Sequence, residues 1–360
     1  MTEPAAIPEW GAEDDGVLVC RHVRDETHDV KTFVFATPNP RRFRFQPGQF
    51  LTLELEIDGT PINRCYTISS PPTRPDRLTI TVKRVPGGPV SNWLHDTLRP
   101  GMTIRATGPH GEFSIAYQPA AHLPAPKYLF LSGGSGITPL MSMARSQHDL
   151  AAETDTVFVH SARSPADIIF RDELDLMTRN LPGFRVAAVC ETDAAGERWG
   201  GYRGRLSAPM LRLIAPDLLE RTVFTCGPAP YMAAVRAMLD AEGFDAARYH
   251  EESFDFAALA GEPEAEPAAD AAVATYQVEF TRSQRSITCD ANTTVLAAAR
   301  AAGMRLPSSC TRGLCGTCKS KLVTGEVSMT HAGGIRQREI DQGQILICCS
   351  KPLGDLVIDR

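Results

Sequence analysis

The sequence predicts a multidomain chain: an antiparallel β-barrel, an α/β domain, and a small third domain carrying a cysteine-rich loop. Three features predict it. Residues 17 to about 116 read as short alternating strands broken by turns, and after Pro119 strands alternate with helices. A stretch rich in Pro, Glu and Ala at 257–273 then precedes a unit in which cysteines crowd together. At 360 residues the chain is too long for one ordinary domain, and two or three units of about 100–150 residues are expected. The expected boundaries are an N-terminal tail at 1–15, the barrel at 16–119, the α/β domain at 120–256, the linker at 257–273 and the last domain at 274–360.

In the barrel region, Phe50 to Ile57 alternates apolar and polar residues over eight positions, and Leu78 to Lys83 does the same. That is the period of a half-buried strand. Pro47-Gly48, Asp58-Gly59, Pro71-Pro72, Pro86 to Pro89 and Pro100-Gly101 punctuate the strands with turns. Many short strands so separated predict a small antiparallel barrel.

Beyond Pro119, Tyr128–Leu131, Thr156–His160, Arg185–Cys190 and Arg221–Thr225 are compact strand candidates. Tyr231–Ala241 carries Met232, Val235, Met238 and Leu239 at amphipathic helical spacing. Such alternation implies a parallel sheet with helical crossovers.

The linker, with Pro263, Pro267 and their Glu and Ala neighbours, holds too little apolar surface for a core. Fully extended, it reaches roughly 55–60 Å, enough for the last domain to dock in turn at two places. That domain opens with strands at Tyr276–Phe280 and Ser286–Cys289 and a helix at Thr294–Ala302 closed by Gly303.

Apolar content of 43% with 22% charged residues describes a globular protein. The net charge of −6 gives no basic surface for nucleic acid. No apolar run reaches the roughly 18–20 residues that span a bilayer, so no membrane is expected. Met1 to Trp10 has no basic segment followed by an apolar one, which argues against secretion and for the cytoplasm. Five of ten cysteines (Cys310, Cys315, Cys318, Cys348 and Cys349) fall within forty residues of one another, and such clustering argues for metal over disulfides.

Cys310, Cys315 and Cys318 give C-x4-C-x2-C, with Cys348 thirty residues on. This spacing suits a [2Fe–2S] cluster, and Gly313 and Gly316 allow the loop to wrap closely and turn N–H groups to the sulfurs. A structural zinc site is the alternative, but zinc ribbons pair two C-x2-C knuckles and only one occurs here. The fourth ligand is Cys348 or Cys349. Cys20, Cys65, Cys190 and Cys289 read as small apolar residues.

Arg64, Tyr66 and Thr67, within Arg-Cys-Tyr-Thr-Ile-Ser, supply what a flavin site needs: a cation for the pyrophosphate, a flat aromatic for the ring and a hydroxyl near its reactive nitrogen. Gly87 to Asn92 leads into a short helix at Trp93 to His95, and a helix N-terminus binds phosphate well. Leu129 to Leu140 is strand, glycine loop and helix start, with Thr138 expected as N-cap and Pro139 as the first helical residue. It lacks the G-x-G-x-x-G spacing. Val223 to Pro228 is a strand ending in Cys-Gly-Pro. Both glycine motifs fall at strand carboxyl ends, where open α/β sheets bind ligands.

Taken in order, RCYTIS, GGPVSNWLH, GGSGITPL and TCGPAPYM resemble the ferredoxin–NADP reductase superfamily over residues 17 to about 256. PSSCTRGLCGTCKSKLVTGEV and ILICCSKPLGDLVI resemble the plant-type ferredoxin domain over about eighty-five residues. The second resemblance implies a β-grasp fold, and it favours Cys348 as fourth ligand beside Cys310, Cys315 and Cys318. The first implies that Arg64 binds the flavin pyrophosphate, Tyr66 stacks on the ring and Thr67 faces its N5. It also implies that Gly88, Val90 and Ser91 hold the diphosphate with Lys83 nearby. Gly134, Thr138, Cys226, Gly227 and Pro228 would lie along the nicotinamide nucleotide, with Cys226 orienting it. Glu251 and Phe254 look like the segment ending such reductases beside the flavin. Thr67 stands where Ser is commoner and keeps the hydroxyl.

The domain order, with IFRDEL and ILICCSKPLGD, looks most like reductases serving Rieske-type oxygenases. Glycine-betaine and related quaternary-amine demethylase reductases and the hybrid-cluster protein reductase are the types it most resembles. The resemblance implies electron flow from a nicotinamide nucleotide through FAD, favoured over FMN by GGPVS, to a [2Fe–2S] cluster and on to an oxygenase partner. NADH is expected over NADPH: Arg163 could meet a 2′-phosphate, but Glu191 and Asp193 would repel it. Reduction of a small acceptor without a partner, and a colourless zinc-stabilised binding protein, are the competing readings.

Overall fold

The computed structural model describes residues 6–12, 14–254, 274–304, 306, 313, 316, 318–331 and 334–360. The chain forms two compact units, Met1–Pro61 with Tyr66–Phe254, and Ile62–Cys65 with Asp255–Arg360. The linker at 257–273, Cys310 and Cys315 lie outside the described residues. No helix among the described residues is long and apolar enough to cross a membrane.

The first unit opens with strands β1 (Asp15–Thr27), β2 (Val30–Ala36), β3 (Phe50–Ile57), β4 (Thr60–Thr67) and β5 (Leu78–Lys83), then helix α1 (Pro89–Asp96) and strand β6 (Thr103–His110). They form one six-stranded sheet in the order β4-β3-β6-β1-β2-β5. Just past β4, Ile68 pairs with Ile80 of β5, and the Ser69 N–H donates to the Thr79 carbonyl at 2.8 Å. These contacts join the two outer strands, so the sheet closes into a barrel with its edges satisfied.

The segment up to residue 15 is more than a tail. Glu9–Trp10 pairs with Arg42–Phe43, and the Trp10 ring is 2% exposed. Its Nε1 donates to the Gly108 carbonyl at 2.7 Å, and Arg41 lies over its face. One indole removes enough apolar surface from water to pin the segment.

The second part of this unit contains β7 (Lys127–Gly133), α2 (Ile137–Asp149), β8 (Asp155–Ala162), α3 (Arg171–Asn180), β9 (Phe184–Cys190), β10 (Tyr202–Arg203), α4 (Ala208–Ile214), β11 (Thr222–Gly227), α5 (Ala229–Ala241) and β12 (Tyr249–Ser253). The parallel sheet runs β10-β9-β8-β7-β11-β12. Side chains alternate between two cores. Tyr128, Phe130, Phe158 and Phe224 enter one, and Leu129, Leu131, Val157 and Val223 the other. With both faces covered, β7 reads as a continuous apolar run. At the amino ends of the strands, the fully buried Arg221 bonds Asp155, Asp217 and the Tyr128 carbonyl.

Helix α2 begins earlier than expected. Gly136 is its N-cap, and Thr138 lies inside the first turn with its hydroxyl donating to the Ser135 carbonyl at 3.2 Å. The close approach of Gly136 to β11, described below, sets the start; the hydroxyl's capping preference does not.

The second unit contains β13 (Thr275–Phe280), β14 (Arg285–Asp290), α6 (Val295–Ala301), β15 (Lys319–Thr324), β16 (Val327–Met329), α7 (Gln337–Asp341), β17 (Gln344–Leu346), β18 (Ser350–Pro352) and β19 (Leu356–Asp359). Its main sheet runs β14-β13-β19-β15-β17, with β13 and β19 parallel. Val295, Leu296, Ala298 and Ala299 of α6 pack with Val278, Phe280, Leu356 and Ile358, the β-grasp arrangement. Thr294 caps α6, its hydroxyl accepting from the Ala297 N–H at 3.4 Å. Gly303 ends it at φ +74°.

Candidate functional site

The two glycine motifs meet at the carboxyl ends of β7 and β11. A Cβ on Gly136 would fall 2.2 Å from the Cys226 carbonyl oxygen, and one on Gly227 would fall 2.8 Å from the Tyr231 ring. Gly133 is likewise against Tyr231. Gly134, at φ +51°, has open space where its Cβ would stand. Here lies a cavity of about 500 Å³, lined by Lys83, Gly133, Gly134, Ser135, Arg163, Glu191, Arg205, Pro228 and Tyr231 among others. The glycine cradle, positive side chains and exposed backbone suit a dinucleotide. Beneath the loop, His160 and Ser132 form a buried pair with Nδ1 and Oγ 2.7 Å apart. Burial pushes the imidazole down to about 4, so it is neutral at physiological pH.

Cys226 is fully buried at the end of β11, and β12 sets Glu252 directly beside it. The Glu252 carboxyl meets the Thr67 hydroxyl, yet burial outweighs that hydrogen bond and pushes the carboxyl up to about 8. Its Oε2 is buried with no partner among the described residues. Burial, and next the Glu252 charge, push the Cys226 thiol well up, so it is a protonated thiol and no nucleophile. Thr67, Glu252 and Cys226 thus gather a hydroxyl, a neutral carboxyl and a thiol beside the glycine loop. An unpaired buried oxygen costs free energy unless something bonds to it, and a polar ring edge fits.

Glu251 is not brought to this cluster. Adjacent side chains of a strand point to opposite faces, and its carboxylate pairs with Arg236 at 2.7 Å and accepts from the Tyr249 hydroxyl at 2.7 Å. The neighbouring Glu252 is the acid that joins Thr67 and Cys226. The sequence signal was two consecutive acids before Ser253 with the face undecided. Phe254 packs, partly buried, against the core that holds Phe224 and Cys226.

Arg64 and Tyr66 occupy alternate positions of β4, so they share a face. Arg64 lies in the segment Ile62–Cys65 and donates to the Asn63 carbonyl at 2.8 Å. Lys83 pairs with Asp29 at 3.0 Å on the cavity wall. Gly88 is the N-cap of α1. The Val90 side chain is buried, and the Ser91 hydroxyl accepts from the Val85 N–H at 3.1 Å. What this turn offers a phosphate is therefore backbone N–H groups of the first helical turn, not side chains.

In the second unit, Cys318 and Cys348 are both buried. The Gly313 N–H donates to the Cys348 Sγ at 3.3 Å, whereas the Cys349 thiol turns to the Leu346 carbonyl at 3.6 Å. Gly313 stands at φ +71° and Gly316 at φ +69°, and a Cβ on Gly316 would meet the Gly334 carbonyl at 2.9 Å. A sulfur with an N–H aimed at it, on a loop without room for side chains, fits a cluster ligand.

Glu252 predicts a pH signature. An unfolded chain loses this proton near the ordinary value of 4.5, while the folded one keeps it to about 8. Its contribution to stability is present below pH 4.5 and is lost as pH rises to about 8, at up to about 1.4 kcal/mol per pH unit. Glu252→Gln is expected to remove this slope, so that its melting temperature gains on the parent's from pH 6 to pH 8. Parallel melting curves would exclude a buried, neutral Glu252.

A model of the oxidoreductase FAD-binding domain matches residues 19–115, one of the oxidoreductase NAD-binding domain matches 130–237, and one of the 2Fe-2S iron-sulfur cluster binding domain matches 278–353. The chain is 49% identical to the glycine betaine monooxygenase reductase subunit of Pseudomonas aeruginosa, over 99% of this chain and 98% of that one. It is 44% identical to the stachydrine N-demethylase reductase subunit of Rhizobium meliloti, over 98% of each. Among solved structures it is similar to phthalate dioxygenase reductase, with TM-score 0.57 and 25% identity over 96% of this chain and 98% of that one.

Proposed function

The chain belongs to the family of oxygenase reductase subunits with FAD-, NAD- and 2Fe-2S-binding domains, and from that premise we propose that it passes electrons from NADH to a Rieske-type oxygenase that demethylates a quaternary amine such as glycine betaine. The observation that carries the electron path is the buried group of Thr67, Glu252 and Cys226 beside the glycine loop. A bound flavin accepts the two electrons of a hydride together and releases them singly. This chain's residues bind, orient and exclude water. Thr67 offers a hydroxyl, Glu252 holds a proton on its carboxyl, and Cys226 with Gly136 fixes how closely the nucleotide loop approaches. Arg64, Tyr66, Lys83 and the first turn of α1 are the remaining flavin contacts we assign, and Gly134, Thr138, Gly227 and Pro228 those of the nucleotide. Cys310, Cys315, Cys318 and Cys348 are the cluster ligands we assign. The 49% and 44% relatives both act with quaternary amines by name, which supports the substrate class.

NADH is preferred because Arg163 is already neutralised by Asp29 at 3.1 Å and Asp167 at 3.4 Å. Glu191 meanwhile stands on the cavity wall, 3.7 Å from Arg205. A 2′-phosphate placed there meets a carboxylate. Glu191→Ser is expected to raise kcat/KM for NADPH about tenfold or more, a difference of about 1.4 kcal/mol, with little change for NADH. An unchanged ratio would remove Glu191 from nucleotide choice. For the whole reading, anaerobic titration with NADH and NADPH followed by visible and EPR spectra tests flavin, cluster and nucleotide together. Demethylation of glycine betaine with the purified oxygenase component tests the destination. Full turnover of a small acceptor, with none passed to that oxygenase, would overturn it.

A further inference from the structure

The chain just past Thr67 is fastened to the nucleotide domain from one side of α2. The Ser142 hydroxyl, fully buried, donates to the Ser70 carbonyl at 2.7 Å. Arg145, 5% exposed, donates through Nη1 to the Ser69 carbonyl at 2.6 Å. Its Nε and Nη2 form a two-pronged pair with Glu173 of α3, at 2.8 and 2.6 Å. The guanidinium also lies 4.5 Å from the centre of the Phe170 ring. Phe170 holds a left-handed backbone, φ +59° and ψ +29°, as the residue that starts α3. A bulky residue adopts that region only where its surroundings enforce it, and its ring sits under the arginine.

The other end of α2 is fixed as tightly, since Gly136 abuts the Cys226 carbonyl. About two helical turns, roughly 11 Å of rigid rod, therefore connect the nucleotide loop to the exit of the strand that carries Thr67. One guanidinium ties three pieces: a flavin-strand carbonyl, α2 and α3. Its planar fork serves all three at once, which an ammonium cannot.

We propose that Arg145 is a positioning residue for hydride transfer, setting the gap between the Thr67 strand and the glycine loop and so the alignment of the two reacting rings. The proposal rests on the reading that Thr67 and Gly133–Gly136 flank those rings. A purely structural arginine would affect melting but not the rate of correctly folded enzyme.

The test uses the flavin-loaded full chain in anaerobic rapid mixing with NADH. Arg145→Lys keeps the charge without the fork. Arg145→Met with Glu173→Met removes both charges, so that no buried carboxylate is left unpaired. The limiting rate of flavin reduction is expected to fall about tenfold or more, the apparent affinity for NADH to change less than about twofold, and the long-wavelength nucleotide–flavin absorbance to weaken at equal flavin content. A wild-type limiting rate and absorbance in Arg145→Lys, whatever its melting temperature, would overturn the proposal. That variant decides the matter even where the double variant fails to fold. Thr67→Ala run alongside separates the two levels. Slow Thr67→Ala with wild-type Arg145→Lys sinks the positioning role alone, and wild-type rates in both sink the reading beneath it.

Discussion

Cys348→Ser is expected to abolish the iron–sulfur cluster, with loss of its iron, its sulfide and its EPR signal, while reduction of bound flavin by NADH continues. Electron delivery to a one-electron protein acceptor should fall roughly a hundredfold or more, because the cluster is the outlet for single electrons. Reduction of ferricyanide should persist. A serine oxygen is a poor replacement for a thiolate at iron. The adjacent Cys349 makes the prediction sharp. Cys348 is 6% exposed and its sulfur accepts the Gly313 N–H, whereas the Cys349 thiol turns to a carbonyl of its own turn. Cys349→Ser should therefore keep the cluster. A cluster that survives Cys348→Ser and vanishes in Cys349→Ser would reverse the assignment.

The second large effect belongs to Gly136→Ala. The added methyl would sit 2.2 Å from the Cys226 carbonyl oxygen and 2.6 Å from the Gly227 nitrogen, contacts with backbone that no rotamer change relieves. The start of α2 must then move away from β11, carrying the nucleotide loop with it. A misplacement of about 1 Å between reacting groups costs about a hundredfold, so reduction by NADH should fall by at least that factor. The flavin should stay bound, since Gly136 lies outside the barrel. Gly200→Ala is the control in the same domain: its Cβ meets nothing within 4 Å, its φ lies outside the left-handed region, and it is not on the cavity wall. Single-turnover flavin reduction by NADH would measure both. Equal rates for Gly136→Ala and the parent enzyme would show that the close approach of the two motifs is not needed.

Much of the site was legible because its residues sit in local patterns. Phe50–Ile57 and Leu78–Lys83 form strands over the residues that alternate, since pleat and burial both repeat every two residues. The glycine loops were legible because backbone that must touch backbone leaves no room for a Cβ. Cys226 stands in one of these motifs and Thr67 in the Arg-Cys-Tyr-Thr strand, and both are buried. Glu252 was missed for the same kind of reason. In a run of two acids, alternation says that one faces inward but not which, and pairing β12 with β11 decides it. Arg145 was not singled out either, since an arginine late in an amphipathic helix reads as a solvated residue until a partner domain covers it.

By itself the sequence determined the three-domain order, the cysteine spacing and the glycine motifs, because each is a short-range constraint written in consecutive residues. Only the tertiary structure decided that Glu252, not Glu251, joins Thr67 and Cys226, that Ser91 spends its hydroxyl on its own loop, and that Arg145 fastens the flavin strand to the nucleotide domain. Those outcomes depend on which distant segments cover a side chain. Burial and hydrogen-bond partners come from packing across the chain, and no local period encodes them.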